Sequence, residues 1–450
     1  MTANTLEQLA EWASALRFDD IPSNALRTAK RAVLDTLAVT LLGSRSRAAR
    51  IAAQTAFGFA AGDGPCSLIG LGRRTDVLNA ALINGTSAHA DLFDDNNAPM
   101  MAHPSSSLVS AIVPPAQAKG VGGAELLAAY CAGFEVGVTL GRALNPKLYE
   151  AGWHATRVLG VIGAAAAAAR LLRLDSARTA HALAVTTSMA SGIRQAFGTM
   201  TMALHVGLTS RDGIHAALLA EAGFSGDRAA LDGRFGFIRL FGGTETCPTF
   251  TLGRPFELIR SGIIFKPYPC GAPTHAAIDC ALALSKQVPL EDVAEIVCLV
   301  HPWTGMTLRE ETPRDPLQAK VNMKFCVAAA LSRRRVTHDE FTPVALADRD
   351  IMRLMDRIRV IISDDLPDNG EFPAEVRIML SDGSTRVERR DVPRGGSTEP
   401  LSDEELEDKF RSCAGVALDR SAIARIRELV SRLDRLDDVN ELAAMLEGKP

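Results

Sequence analysis

Phe265-Lys266-Pro267-Tyr268-Pro269-Cys270-Gly271-Ala272-Pro273-Thr274-His275 divides the chain into two textures. Its three prolines and one glycine make a rigid crossing rather than an element interior. Upstream, apolar residues recur at helical spacing, as in Leu26, Ala29, Val33, Leu37 and Leu41. Asp76 is placed to cap a helix beginning at Val77. Further helices are expected over residues 123–144, 160–172, 176–192 and 211–221, packed through alanine. Downstream, Ile296–Val300, Ile358–Ile362 and Val376–Leu380 read as strands. Ser381-Asp382-Gly383-Ser384 turns the last of these into a hairpin with Arg386-Val387-Glu388. Helices near 274–287 and 317–332 fill the gaps. After Pro393-Arg394-Gly395-Gly396-Ser397, read as a flexible linker, helices resume from Asp403. They are too few for a core of their own and are expected to pack back onto the first half.

The expected fold is therefore mainly α. Residues 1–264 plus 395–450 form a large all-helical domain, and residues 265–394 form a smaller inserted α+β lid. A chain of 450 residues exceeds what one core usually holds, about 250–300 residues. Aromatic residues are only 5%, so close helix crossings must rely on small side chains.

A net charge of −4 argues against nucleic acid as the main partner, while Arg157, Arg194 and Lys266 can supply a local basic pocket. The eight cysteines contain no Cys-x-x-Cys pair, which predicts free thiols in a reducing compartment. Residues 1–20 lack a basic-then-apolar leader, so the expected location is cytoplasmic. The apolar run Val158–Ala169 is bracketed by Arg157 and Arg170 and falls short of the roughly 20 residues that span a bilayer. No membrane partner is expected.

Four clusters place ionisable groups in broken segments. The first runs from Ala88-His89-Ala90-Asp91-Leu92-Phe93-Asp94-Asp95 and Asn96 to His103-Pro104-Ser105. Acids beside histidines suit general acid–base work, and equally suit a helix end capped by aspartates. His89, Asp94 and His103 are metal-ligand types without local ligand spacing, so neither metal nor organic cofactor is expected. The second is Gly152-Trp153-His154-Ala155-Thr156, where a helix dipole would favour neutral imidazole. The third, Gly198-Thr199-Met200-Thr201-Met202-Ala203-Leu204-His205-Val206-Gly207, offers hydroxyls and amides to a carboxylate, or is a loop between helices. The fourth is the crossing itself, which places Lys266 and His275 where a cleft would form. Cys270 reads as packing.

In this order the clusters resemble the MmgE/PrpD family pattern: Ala-His-x-x-Asp-Phe-Asp-Asp, His-Pro-Ser, Gly-Trp-His-x-Thr, Gly-Thr-x-Thr-Lys-Pro-x-His-x-Gly, then Lys-x-x-Pro-x-Cys and a histidine. That family includes 2-methylcitrate dehydratase, cis-aconitate decarboxylase and iminodisuccinate epimerase. The resemblance implies a homodimer with no cofactor. It implies catalytic roles for His103, His154, Asp94 and His275, and substrate binding by Lys266, Thr156, Thr199, His205 and Asn96. The chain departs from the pattern at Leu92 (aspartate), Met202 (lysine) and Ala203 (proline), and a pocket tyrosine of the decarboxylase falls on Phe325. The length of the loop from Asp95 to His103, with Leu140-Gly141-Arg142-Ala143, looks closer to the epimerase.

The expected activity is a lyase acting on a small di- or tricarboxylate, by proton removal next to a carboxylate, in the manner of a dehydratase. The alternatives are an epimerase, a decarboxylase, and a non-catalytic metabolite-binding protein. The last is motivated by the losses at Leu92, Met202 and Phe325.

Overall fold

Small residues let the helices of the first half cross at close range. The computed structural model describes residues 5–58, 63–244 and 250–448. Helices of eight residues or more are α1 Thr5–Ala15, α2 Ser23–Gly43, α3 Arg47–Phe57, α4 Val77–His89, α5 Pro104–Lys119, α6 Gly123–Leu144, α7 Gly160–Leu171, α8 Ser176–Thr187, α9 Met200–Glu221, α10 His275–Leu284, α11 Met323–Arg333, α12 Asp403–Ala414 and α13 Arg420–Ser431. Asp76 caps α4, accepting from Leu78 N and Asn79 N.

All twelve residues of α7 are buried. It lies against α6 through paired glycines: a Cβ on Gly133 would stand 2.6 Å from the Gly163 carbonyl oxygen. α4 and α9 meet the same way, since a Cβ on Gly207 would stand 2.2 Å from the Leu82 oxygen. α6, rather than the run Val158–Ala169, is long and apolar enough to cross a membrane. Within its most apolar window 89% is buried inside the protein, as in a core helix.

Residues 293–390 carry a four-stranded sheet in the order β4-β3-β5-β6, with β3 Val293–Val300, β4 Ile358–Ile362, β5 Ala374–Leu380 and β6 Thr385–Arg390. β3 runs parallel to β4, pairing Ile296 with Ile358, and antiparallel to β5, pairing Cys298 with Val376. β5 and β6 form a hairpin. Along β5, Ala374, Val376, Ile378 and Leu380 alternate inward, the pattern of a sheet with one covered face. α10 and α11 cover that face, and their apolar side chains join it in a core built from residues 268–380. A short hairpin, β1 Cys66–Leu68 with β2 Arg73–Thr75, was not foreseen.

α12 packs on α2, and Leu406, Phe410, Ile426 and Leu429 share one core with Leu6, Leu37 and Leu127. The segment expected to be a flexible linker is instead packed. Gly395 is buried with φ +86°, and a Cβ there would stand 2.3 Å from the Phe265 oxygen. Arg394 N donates to Asp279 Oδ2 at 2.8 Å and Ser397 N to Glu371 Oε2 at 2.9 Å. The outgoing and returning crossings therefore lie side by side, and the glycines serve close approach rather than freedom.

Gly207→Ala should lower stability by about 1–3 kcal/mol, because the added methyl meets backbone that cannot yield. Urea denaturation of the variant, with an unchanged slope and a lower midpoint, is the expected result.

Candidate functional site

α4 ends at His89, and the chain then makes a tight descent through Leu92, whose φ of +54° is unusual for a branched residue. Three lysines from three distant segments hold this descent. Lys320 Nζ donates to the Asp91 oxygen at 3.0 Å, Lys266 Nζ to the Leu92 oxygen at 2.8 Å, and Lys409 Nζ to the Phe93 oxygen at 2.7 Å. All three are buried. Burial pushes Lys266 below its usual range, opposed by Asp94 3.9 Å away. Lys409 is also paired with buried Asp35 at 2.7 Å.

The imidazole that Asp94 orients is that of His89. Its carboxylate accepts from His89 Nδ1 at 2.8 and 3.0 Å and from Ser106 Oγ, and stands 3.9 Å from His103 Nδ1. Burial opposes its ionisation, but His89, His103 and Lys266 together hold the carboxyl far below the usual range. His103 Nδ1 lies 2.7 Å from the main-chain oxygen of Asp95. A carbonyl only accepts, so Nδ1 carries the proton and Nε2 the lone pair. Burial, then Lys266, bring His103 down to about 3. The Asp95 side chain, fixed by Ser105, is pushed up to about 7 by burial.

His154 Nδ1 faces His205 Nδ1 at 3.0 Å. Its affinity for a proton is well below normal, chiefly from burial and then from His89, His205 and His103. Burial also lowers His205, to about 4. The rings form a row: His103 to His89 at 4.7 Å between centroids, His89 to His154 at 6.0 Å, and His154 to His205 at 5.2 Å.

A cavity of about 420 Å³ opens beside this row. His103, His154, Lys266, His275 and Asn96 line it. The other expected site residues stand elsewhere. Asp94 lies behind the histidines. Thr156 is buried and its hydroxyl accepts from His103 N at 3.1 Å. Thr199 is exposed, its hydroxyl donating to the Ala196 oxygen at 2.6 Å. His205 sits on α9 behind His154, in what sequence left open as a loop. Arg157 is tied to Asp212 and Arg194 to the Tyr149 and Met306 oxygens, so neither lines the cavity. Arg142 does line it, with its guanidinium on Glu257 at 2.7 and 3.1 Å. Phe325 lies in the core of the sheet unit, 5.8 Å from the Phe341 ring, and not on the cavity. Leu92 and Met202, by contrast, meet each other at the cavity wall.

Sequence reasoning assigned no site role to His89, Lys320 or Lys409. The spacing of His89 and Asp94 was the available signal for the first; the lysines act across more than two hundred residues and left none. His89, Asp94 and His103 bring one ligand atom each within 4.8 Å of one another. Their facing nitrogens are already committed to Asp94 and the Asp95 oxygen, and the Lys266 ammonium adjoins the carboxylate. That donor set fits proton sharing better than cation binding.

Models of the MmgE/PrpD N-terminal and C-terminal domains match residues 7–248 and 268–435. The chain is 29% identical to the cis-aconitate decarboxylase-like protein oryM of Aspergillus oryzae, over 99% of this chain and 98% of the relative. It is 27% identical to the cis-aconitate decarboxylase of Aspergillus terreus, covering 98% and 95%, and 27% identical to that of Homo sapiens, covering 100% and 95%.

Lys409→Met should cost about 3–5 kcal/mol, since it leaves the Asp35 carboxylate buried without its cation. Adding Asp35→Asn should recover part of that loss in a denaturant double-mutant cycle.

Proposed function

The chain belongs to the MmgE/PrpD family, and from that premise we propose that it is a cofactor-independent lyase acting at a carbon next to a carboxylate of a small di- or tricarboxylic acid. The observation that carries this reading is the tautomer of His103. With its Nδ1 proton held by the Asp95 oxygen, a neutral imidazole presents Nε2 as a base to the cavity it lines. A base that is uncharged at neutral pH suits abstraction of a proton beside an ionised carboxylate.

His154 is the complementary acid. Between two facing Nδ1 atoms one proton is shared. When His205 donates, His154 carries its proton on Nε2; when His154 donates, Nε2 holds a lone pair. The ring thus offers either form without net charge. In dehydration, His103 takes the carbon-bound proton and His154 protonates the departing hydroxyl as water. In epimerisation His154 returns a proton to the opposite face. Lys266, His275 and Asn96 hold the carboxylates while charge builds. Residues 265–394 act as the lid over the helical body, and the enzyme works as a homodimer, which sedimentation would check.

A second reading, decarboxylation, is favoured by the names of the relatives. There the C–C bond breaks, carbon dioxide leaves, and the electron pair left on carbon takes a proton from a histidine.

Incubating di- and tricarboxylic acids with the protein in deuterated water and following them by proton NMR separates the outcomes. Lost hydroxyl marks a dehydratase, lost carboxyl a decarboxylase, and label exchange without net change an epimerase. His103→Gln and His154→Gln should each lower turnover by about two to four powers of ten while the fold survives. No exchange or turnover with any acid would refute the reading. The base pKa of about 3 places the acid limb of kcat/KM well below pH 6.5; a limb near pH 6.5 would assign the base elsewhere.

A further inference from the structure

Leu92, Met202 and Val321 form a small buried apolar cluster, with Phe197 and Leu308 packed against it. The cluster is separate from the two main cores, and all five residues line the cavity. They come from the loop after α4, the segment before α9, the first turn of α9, and two loops flanking the short helix Pro316–Ala319. Residues that far apart in sequence meet only because the crossing at Phe265 brings the sheet unit over the helices. The result is a cavity in which this hydrocarbon patch adjoins the polar groups His103, His154, Lys266 and His275, with the Phe197 ring edge-on to His154 at 5.0 Å between centroids.

The cations near it are already engaged. Among the described lining residues the lysine and arginine side chains are Lys266 and Arg142. Lys266 gives one N–H to the Leu92 oxygen and is the donor assigned above to a carboxylate beside the histidines, and Arg142 carries the Glu257 carboxylate. Lys320 and Arg309 stand behind the patch, bonded to the Asp91 and Phe197 oxygens. A further ionised carboxylate pressed against Leu92, Met202 and Val321 would lose its hydration and gain no unassigned cation in return. An alkyl group there would lose only unfavourable contact with water.

We propose that the substrate turns a hydrocarbon group to this patch, so that the acid is alkyl- or aryl-substituted where a tricarboxylate would carry a further carboxylate. This rests on the proton-transfer reading above and narrows its substrate class.

The test is calorimetric binding of methyl-, ethyl- and propylsuccinate to the unmodified protein, against tricarballylate, in which a carboxymethyl group replaces the propyl group. Affinity should rise about four-fold per added methylene, and propylsuccinate should bind at least about ten-fold tighter than tricarballylate. Met202→Lys should reverse that order. Tricarballylate binding as tightly as propylsuccinate, or no gain along the alkyl series, would overturn the proposal. The unmodified protein decides the matter even if the variant does not fold. Binding is read without turnover. A protein that binds the series in this order but exchanges no protons keeps the apolar subsite and loses the lyase reading, and the opposite result does the reverse.

Discussion

Three ammonium groups on three successive carbonyl oxygens, at Asp91, Leu92 and Phe93, are the constraint on which the site depends. A buried carbonyl needs a partner, and a helix end followed by a left-handed leucine leaves several without one. Lysine supplies the donor from a distance that backbone cannot reach. Each lysine comes from a different region: Lys266 from the crossing, Lys320 from the sheet unit and Lys409 from α12. The descent after α4 is thus the knot that ties body, sheet unit and C-terminal helices together. It also fixes the main-chain oxygen of Asp95 that sets the His103 tautomer. The desolvation of three cations is offset by Asp35, Asp91 and Asp94, which lie beside them.

The same arrangement sets the proton affinity of three rings in the row: burial first, and then close cationic neighbours, hold His103, His154 and His205 below the usual imidazole range. One carboxylate, Asp94, is kept ionised among them and takes the His89 proton in a hydrogen bond. A neutral His103 with its tautomer fixed, beside a His154 that can hold its proton on either nitrogen, is a preorganised proton-transfer surface. The apolar patch at Leu92 and Met202 strengthens this by keeping the dielectric of the shared cavity low.

Much of the fold is legible in the sequence because its periodicities are local. The alternation in Val376–Leu380 and the helical spacing in Leu26–Leu41 each need only neighbouring residues. The crossing at Phe265–His275 announces itself through prolines. The glycines at 395 and 396 misled, because a glycine that permits mobility and one that permits contact with the Phe265 oxygen look alike in sequence. The histidines of the site were readable as residue types in broken segments. Their pairing was not: Asp94 serves His89 five residues back, and His205 faces His154 across 3.0 Å. Phe325 shows the limit of transferring a motif position, since its ring belongs to a core and not to the cavity. The lysines that hold residues 91–93 had no sequence signal, because long-range pairing between a side chain and a carbonyl has no period.

Nitrogen NMR of the protein labelled in its histidine rings measures the central claim directly, with the His103 resonances assigned by their loss in His103→Gln. The account predicts a neutral ring at pH 6 with the proton on Nδ1 and a free lone pair on Nε2. A ring protonated on Nε2 alone, or an imidazolium at that pH, would contradict it.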